Sequence, residues 1–302
     1  MLPALRVALP SVDISAIVNV GDDFTWHGLK VCPDIDTVCY ALAGEFSFTR
    51  GFGREADSTQ VAAGLAALSV PSWAMLGDSD VAVSMRRSQL LAEGVGLSEI
   101  TEKISMALGS AGVEVLASSD HESLTMLRLA GGDLVPYSRW FVDRDAAEEI
   151  AEVVLSPAPA SSGALERLGL ADAVVLAPSN PVASLGAVLA LGGMEEAFLG
   201  VPRRIGVLAL SGRQPPAHPA LARRLRAQAR LLAAIGSSPA PAGHARLLSR
   251  WVTDLIVDDH DFEAIDASLR TYGPARHLRL IGASILDDPA LASCIAGLLA
   301  EP

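Results

Sequence analysis

The sequence is short of the groups that most simply announce a function. Three cysteines, Cys32, Cys39 and Cys294, in 302 residues make neither a disulfide framework nor a zinc ligand set. A reducing, cytoplasmic setting is the expectation. No run is rich in lysine or arginine, and the formal net charge is -12 with a pI near 4.9. Nucleic-acid backbones and anionic membrane surfaces need clustered cations, so neither is expected as a partner. An anionic substrate would need a metal ion to help hold it. The opening "MLPALRVALPSVD" lacks the apolar core and small-residue cleavage site of a secretory signal. The most hydrophobic later stretch, "PVASLGAVLALGGM" (181–194), is shorter than the roughly 20 residues of a membrane span and reads as a buried helix. No internal repeat is present, which sets solenoids and propellers aside.

What is present is apolar material, half of the chain, enough for one large α/β domain. Short β-branched runs alternate with alanine- and leucine-rich segments: "ISAIVNV" (14–20), "GVEVLAS" (112–118), "ADAVVLA" (171–177), "RIGVLAL" (204–210), "VTDLIVD" (252–258) and "HLRLIGAS" (277–284). That order predicts a parallel sheet covered by helices, and near-continuous apolarity predicts strands buried on both faces. The expected fold class is therefore α/β, a Rossmann-like, mostly parallel sheet with helices on both faces. One domain over 1–302 is expected, with a small helical insertion over 54–110. "SPAPASSGA" (156–164) and "GSSPAPAG" (236–243) read as surface loops.

Ligands of doubly wound sheets lie beyond the carboxyl ends of the strands, where "GDDFTWHG" follows "ISAIVNV". Gly21 is read as the tight exit turn. "CPDIDTVCYALAG" reads as a helix start with an aspartate at or near its N-cap. Asp22, Asp23, Asp34 and Asp36 then converge to hold Mg²⁺ by oxygen ligation, with positions open for phosphate oxygens. Alternatively Asp34 and Asp36 cap a helix while Asp22 and Asp23 form a solvated turn. His27 is either a substrate partner or a loop residue, and Trp26 either a stacking platform or core.

The stretch "VNVGDDFTWHGLKVCPDIDTVCYALAG" resembles the most distinctive motif of the CofD family of 2-phospho-L-lactate transferases, which includes bacterial phosphoenolpyruvyl transferases of coenzyme F-420 biosynthesis. "LAPSNPVASLGAVLALGGM" (176–194) is similar to the family's Pro-Ser-Asn-Pro signature and following helix. Weaker similarities are "RGFGREADST" (50–59), "LGDSD" (76–80), "SQLLAEGVGLSEIT" (88–101) and "LIVDDHD" (255–261).

The resemblance implies transfer of a phosphoenolpyruvyl or 2-phospholactyl group from a guanosine diphosphate-linked donor to the deazaflavin Fo, releasing GMP. It implies Mg²⁺ on Asp34 and Asp36, and Asp23 and Asp36 as catalytic carboxylates. It places Asp22, His27, Asp34, Asp36, Thr37, Asp78, Asp80, Ser179, Asn180 and Ser184 on the substrates, and suggests a homodimer. Taken by itself, the segment reads rather as a proline-braced strand-to-helix turn with Asn180 near the N-cap. Asp258, Asp259, His260 and Asp261 read as metal ligands or as a polar strand exit.

Several positions depart from the family pattern. Ser79 stands where the family has an arginine, Ser84 where it has a histidine, and Tyr137-Ser138 where it has Phe-Gln. Arg86 and Arg87 either compensate for the arginine or are surface residues. "LALSGRQPPAHPALARR" (208–224) keeps little of the family's guanine-side loop. The family's opening strand and phosphate-cradling Gly-Gly-x-Gly-Gly-x-Lys/Arg loop have no counterpart, and "MLPALRVALPSVD" resembles only the end of the helix after that loop. The expectation is a divergent, N-terminally truncated member. The alternative is an impaired homologue that binds a deazaflavin, a nucleotide or a partner protein without turnover. A nucleotide-sugar-binding regulator of CofD-like type would carry a glycine- and serine-rich continuation that "GDDFTWHGLKVCPDIDT" lacks.

Overall fold

All six apolar runs form strands, and all six pair in parallel. In the computed structural model, which describes residues 1–110, 112–209, 211–212, 219–272 and 277–301, they fall into two sheets. The first pairs β1 (Ser15–Val18) with β4 (Glu114–Ala117). The second runs in the order β11-β10-β9-β8, built from β8 (Ala173–Leu176), β9 (Arg203–Val207), β10 (Asp254–Asp258) and β11 (Arg279–Ala283). Ile17 of β1 packs into the apolar cluster that holds Leu176, Leu255 and Val257, so the two sheets share one core.

Two antiparallel pieces complete the sheet structure. A hairpin pairs β2 (Phe24–Trp26) with β3 (Leu29–Val31) inside the acidic motif. Its two-residue turn, His27 and Gly28 at φ of 47° and 83°, has the handedness that matches strand twist. The second piece is ordered β6-β5-β7, from β5 (Thr125–Leu129), β6 (Leu134–Pro136) and β7 (Ile150–Leu155). It packs its buried Leu127 and Leu129 against Leu231 and Leu232 of a later helix.

Helices α1 (Leu2–Ala8), α2 (Pro33–Leu42), α3 (Gln60–Ala67), α4 (Asp78–Ala92) and α5 (Leu97–Ala107) occupy the first third of the chain. The last three lie within 54–110, where the helical insertion was expected. Next come α6 (Tyr137–Val142), α7 (Ser162–Leu170), α8 (Leu185–Leu189), α9 (Met194–Gly200) and α10 (Pro219–Ala234). The chain closes with α11 (Pro241–Leu248), α12 (Phe262–Arg270) and α13 (Asp288–Leu299). The segment 181–194 is not the single buried helix its hydropathy suggests. A turn precedes α8, and Gly193, at φ 86°, breaks the chain before α9. The expected loops at 156–164 and 236–243 end earlier than anticipated, because Ser161 and Ala240 cap α7 and α11. Residues 210 and 213–218 of "LALSGRQPPAHPALARR" lie outside the described residues. Among the described residues no helix is long and apolar enough to cross a membrane.

Gly21, at the exit of β1, positions everything that follows. It lies in the tight exit turn expected of it, closed by Asp23 N donating to Val20 O at 3.2 Å, but its φ is not left-handed, so what requires glycine there is space. A Cβ there would lie 2.6 Å from Thr125 Oγ1, 3.0 Å from Asn19 Oδ1 and 3.4 Å from Ala187 Cβ. The absent side chain lets β1, β5 and α8 meet, and Thr125 N donates to Gly21 O at 2.9 Å. Overpacking such a junction costs about 1–3 kcal/mol. Gly21→Ala is expected to lower stability by that amount in urea unfolding, and Gly21→Ala/Thr125→Ala to recover most of it; equal stability of the single variant and wild type would contradict this contact.

Candidate active site

The carboxylates of the motif divide into two sets rather than one. Asp34 and Asp36 are two positions apart on α2, hence about 200° around the helix, so they cannot face the same ligand. Asp22 and Asp23 leave β1 in a turn closed by Asp23 N donating to Val20 O at 3.2 Å, and their carboxyls meet different neighbours, Asn19 and Asp34 for Asp22, Lys30 and Cys32 for Asp23. Asp22 and Asp34 form the outward set. Asn19, at the end of β1, holds this set: its amide nitrogen donates to Asp34 Oδ2 at 3.0 Å and to Ala183 O at 3.4 Å, while its Oδ1 accepts from Gly21 N at 2.9 Å. One side chain thereby connects β1, α2 and the turn before α8.

Burial and mutual repulsion shape the outward pair. Desolvation, then the charge of Asp34, pushes the Asp22 carboxyl well above the ordinary value, while the Asn19 amide opposes the shift. Asp34 is raised by desolvation too, against the pull of Asn19 and of the Arg224 guanidinium. Asp22 Oδ1 is buried with no hydrogen-bond partner. A buried, unpartnered carboxylate oxygen beside a second carboxylate is a costly arrangement alone and a suitable one for a divalent cation. The residues present therefore fit Mg²⁺ at Asp22 and Asp34. Among the described residues no group of three or more His, Cys, Asp or Glu forms a metal-ligand set, so a cation here would complete its shell with water or substrate oxygens.

The inward set corrects the expectation that all four carboxylates, and Asp34 with Asp36 as metal ligands, converge. Asp36 is buried and takes both guanidinium nitrogens of the fully buried Arg87, Nη2 to Oδ1 and Nη1 to Oδ2 at 3.3 Å. Arg87 Nη1 also donates to Lys30 O at 3.2 Å, which anchors β3 to α4. It is therefore neither a surface residue nor a phosphate partner. Asp23 is buried, with Lys30 Nζ at 3.1 Å and Cys32 Sγ donating to it at 3.1 Å. Desolvation pushes the Asp23 carboxyl up to about 6 despite the nearby Lys30.

The other expected site residues are placed as follows. Thr37, three positions after Asp34, is half-buried on the Asp34 side of α2. His27 is exposed at the hairpin tip, with its ring edge-on to Trp26. No contact joins it to Asp22 or Asp34 among the described residues. Trp26 is core, donating from Nε1 to Ser72 Oγ at 2.9 Å and Ala74 O at 3.2 Å. Asp78 accepts from Ser58 Oγ at 2.6 Å and from Gln60 N and Val61 N, both at 3.0 Å. These bonds, Ser58 foremost, hold its carboxyl below the usual range and make it a clip between α3 and α4. Asp80 is buried, accepts from Gly77 N at 3.0 Å and lies toward Asp36, not toward the outward pair. Asn180 Oδ1 accepts from Val182 N and Ala183 N, so its side chain braces the turn. Ser179 and Ser184 are half-buried in that same turn.

Sequence reasoning missed Asn19, Tyr137, Arg223 and Arg224 as members of the site. Tyr137 is buried at the start of α6, and its phenol is pushed far up, by desolvation first and then by Asp22 and Asp34, against Arg224 and Arg223. The signal for Asn19 lay in the motif itself, two residues before Gly21. Tyr137 and the arginines come from distant segments, and no local pattern couples them to the motif.

Two outcomes test the inward set. Removing one partner of a buried ion pair costs about 3–5 kcal/mol, whereas an apolar replacement of both is often tolerated. Arg87→Met is expected to lose that much stability in urea unfolding and Arg87→Met/Asp36→Leu to regain most of it. The second concerns pH. The folded state holds the Asp23 proton more tightly than the unfolded chain, so Asp23 favours folding below about pH 4. That contribution, roughly 1–3 kcal/mol, is lost as pH rises through about 6. Unfolding midpoints of wild type minus Asp23→Asn should fall over this window, and a flat difference would refute the shift.

Comparison with known proteins identifies the family. The family described as 2-phospho-L-lactate transferase CofD matches residues 1–226. A phosphoenolpyruvate transferase of Streptomyces griseus is 36% identical over 285 residues, covering 88% of this chain and 85% of the relative. One from Streptomyces coelicolor is 35% identical, covering 85% and 82%, and one from Thermobifida fusca 33% identical, covering 94% and 85%. Among solved structures, a UPF0052 family member from Bacillus halodurans shares the fold, with a TM-score of 0.58, 14% identity and coverage of 99% and 96%. With a family match over three quarters of its length and relatives at this identity along most of it, the chain belongs to the CofD family.

Proposed function

We propose that this protein is a cytoplasmic transferase that moves a phosphoenolpyruvyl or 2-phospholactyl group from a guanosine diphosphate-linked donor to the terminal ribityl hydroxyl of the deazaflavin Fo, releasing GMP. Relatives of comparable length are phosphoenolpyruvate transferases, which supports the reaction class. The observation that carries the reading is the outward pair: Asp22 and Asp34, fixed by Asn19, with Asp22 Oδ1 unpartnered.

The reaction is phosphoryl transfer onto an alcohol, whose demands are in-line positioning and charge stabilisation. Asp22 and Asp34 would hold Mg²⁺, which supplies neutralisation of the diphosphate. As the acceptor hydroxyl oxygen bonds to the phosphorus bearing the acid, its proton passes to water. The bond from that phosphorus to the GMP oxygen breaks, and the electron pair leaves on GMP. Asp36 and Asp23, by contrast, are engaged with Arg87 and Lys30 and hold the hairpin and α2 in place beneath the pair.

Incubation with Fo, the guanosine diphosphate-linked donor and Mg²⁺ is expected to release GMP in step with loss of Fo. Asp22→Asn and Asp34→Asn should each lower kcat/KM by roughly 10²–10³, the scale for losing a preorganised electrostatic contact. Fo binding without GMP release by the wild-type protein would replace this reading with that of a binding protein.

A further inference from the structure

We propose that Arg223 and Arg224, near the start of α10, are the side chains that receive the diphosphate of the donor, facing the Asp22–Asp34 pair across Tyr137. The proposal rests on the transferase reading and names the residues that would bind its anionic substrate.

A diphosphate entering a chain of net charge -12, beside two carboxylates that already repel each other, needs cations beyond one metal ion. Most cations near the motif are already neutralised. Lys30 is 3.1 Å from Asp23, Arg87 is closed onto Asp36, and Arg54 is 2.7 Å from Glu45. Arg50 lies over the Phe52 ring, 5.7 Å from its centroid, and donates to Arg54 O.

The arginines of α10 divide in the same informative way. Arg226 is 2.6 Å from Asp145 and Arg230 is paired with Glu149. Because Arg226 takes Asp145 closely, Arg223 reaches that acid only at 3.9 Å. Arg223 lies instead on the Phe141 ring, 4.8 Å from its centroid, and its Nε is buried without a partner. Phe141 in turn stacks on Tyr137, with centroids 5.6 Å apart and planes at 14°. Arg223 is thus an oriented guanidinium on an aromatic stack that ends at the buried Tyr137, whose phenol feels the charges of Asp22 and Asp34.

Arg224 is exposed and donates to a neutral acceptor, Gly51 O, at 2.5 Å. Its charge reaches both Asp34 and Tyr137. The two arginines therefore keep donors that no acid holds closely. Guanidinium groups suit this task because their planar donors match two phosphate oxygens at once.

The test is calorimetric titration with GDP in Mg²⁺, together with donor and Fo KM values, for wild type, Arg223→Ala, Arg224→Ala, Arg224→Lys and Arg226→Ala. Arg223→Ala and Arg224→Ala are each expected to weaken GDP binding by roughly tenfold or more and to raise the donor KM in parallel, as loss of a charge-assisted contact does. Arg224→Lys should retain part of the affinity, guanosine binding should be unchanged in every variant, and the Fo KM should stay within about twofold. Arg226→Ala leaves Asp145 to Arg223 and should weaken GDP binding, but by less than Arg223→Ala does. Unchanged GDP affinity in both alanine variants of a protein that turns over overturns the proposal while leaving the transferase reading intact. An elevated Fo KM with an unaltered donor KM overturns it as well. Wild type that binds no GDP and releases no GMP overturns both. Wild type that binds GDP through these arginines but releases no GMP supports the proposal and overturns the transferase reading alone. Thermal unfolding of each variant must match wild type for a loss of affinity to count in favour.

Discussion

The ion pair between Arg87 and Asp36 is the constraint from which the site's geometry follows. Helix α2 carries two aspartates in its first turn, and a buried guanidinium claims one of them. Claiming Asp36 fixes the rotation of α2 about its axis, because residues two apart lie on opposite sides of the helix. Asp34 is thereby turned outward, toward Asn19 and Asp22. The same guanidinium donates to Lys30 O, so the hairpin that begins beside Asp23 is set by the same contact. An arginine that touches no proposed substrate thus decides which carboxylate can.

The outward pair depends on uncompensated burial. Ordinary folding pressure removes like charges from enclosed places, because desolvation and repulsion both oppose them. Here the only neutral stabiliser shown for the pair is the Asn19 amide, which is shared with Ala183 O. The inward carboxylates differ in having cationic partners, a guanidinium for Asp36 and an ammonium with a thiol donor for Asp23, although Asp23 Oδ1 too is buried without a partner. The contrast between the sets, rather than the number of acids, distinguishes candidate chemistry from scaffold.

Much of the fold was legible in the sequence because parallel strands buried on both faces are near-continuous apolar runs, and each of the six was found at its place. The hairpin β2–β3 was not, since three-residue strands inside a charged motif carry no periodicity; β5 and β6 were passed over as well, although Gly131 and Gly132 between them are a hairpin turn signal. The acidic motif was legible as a cluster of residues but not as a geometry. Only the orientation of α2 separates Asp34 from Asp36, and that depends on Arg87, fifty-one positions away. Likewise Asn180 follows an attractive motif yet spends its side chain on two backbone amides, while Tyr137 and the α10 arginines arrive through tertiary packing.

The division of the parallel strands into two sheets has a mechanical consequence. Asp34 belongs to the half of the molecule built on β1 and β4, and Ala183 to the half built on β8 to β11; Asn19 reaches both. The site therefore straddles a seam, and any ligand held by residues of both halves acts as a strut across it. Occupancy and rigidity become one quantity, because the free energy of binding to the closed seam adds directly to the free energy that keeps it closed.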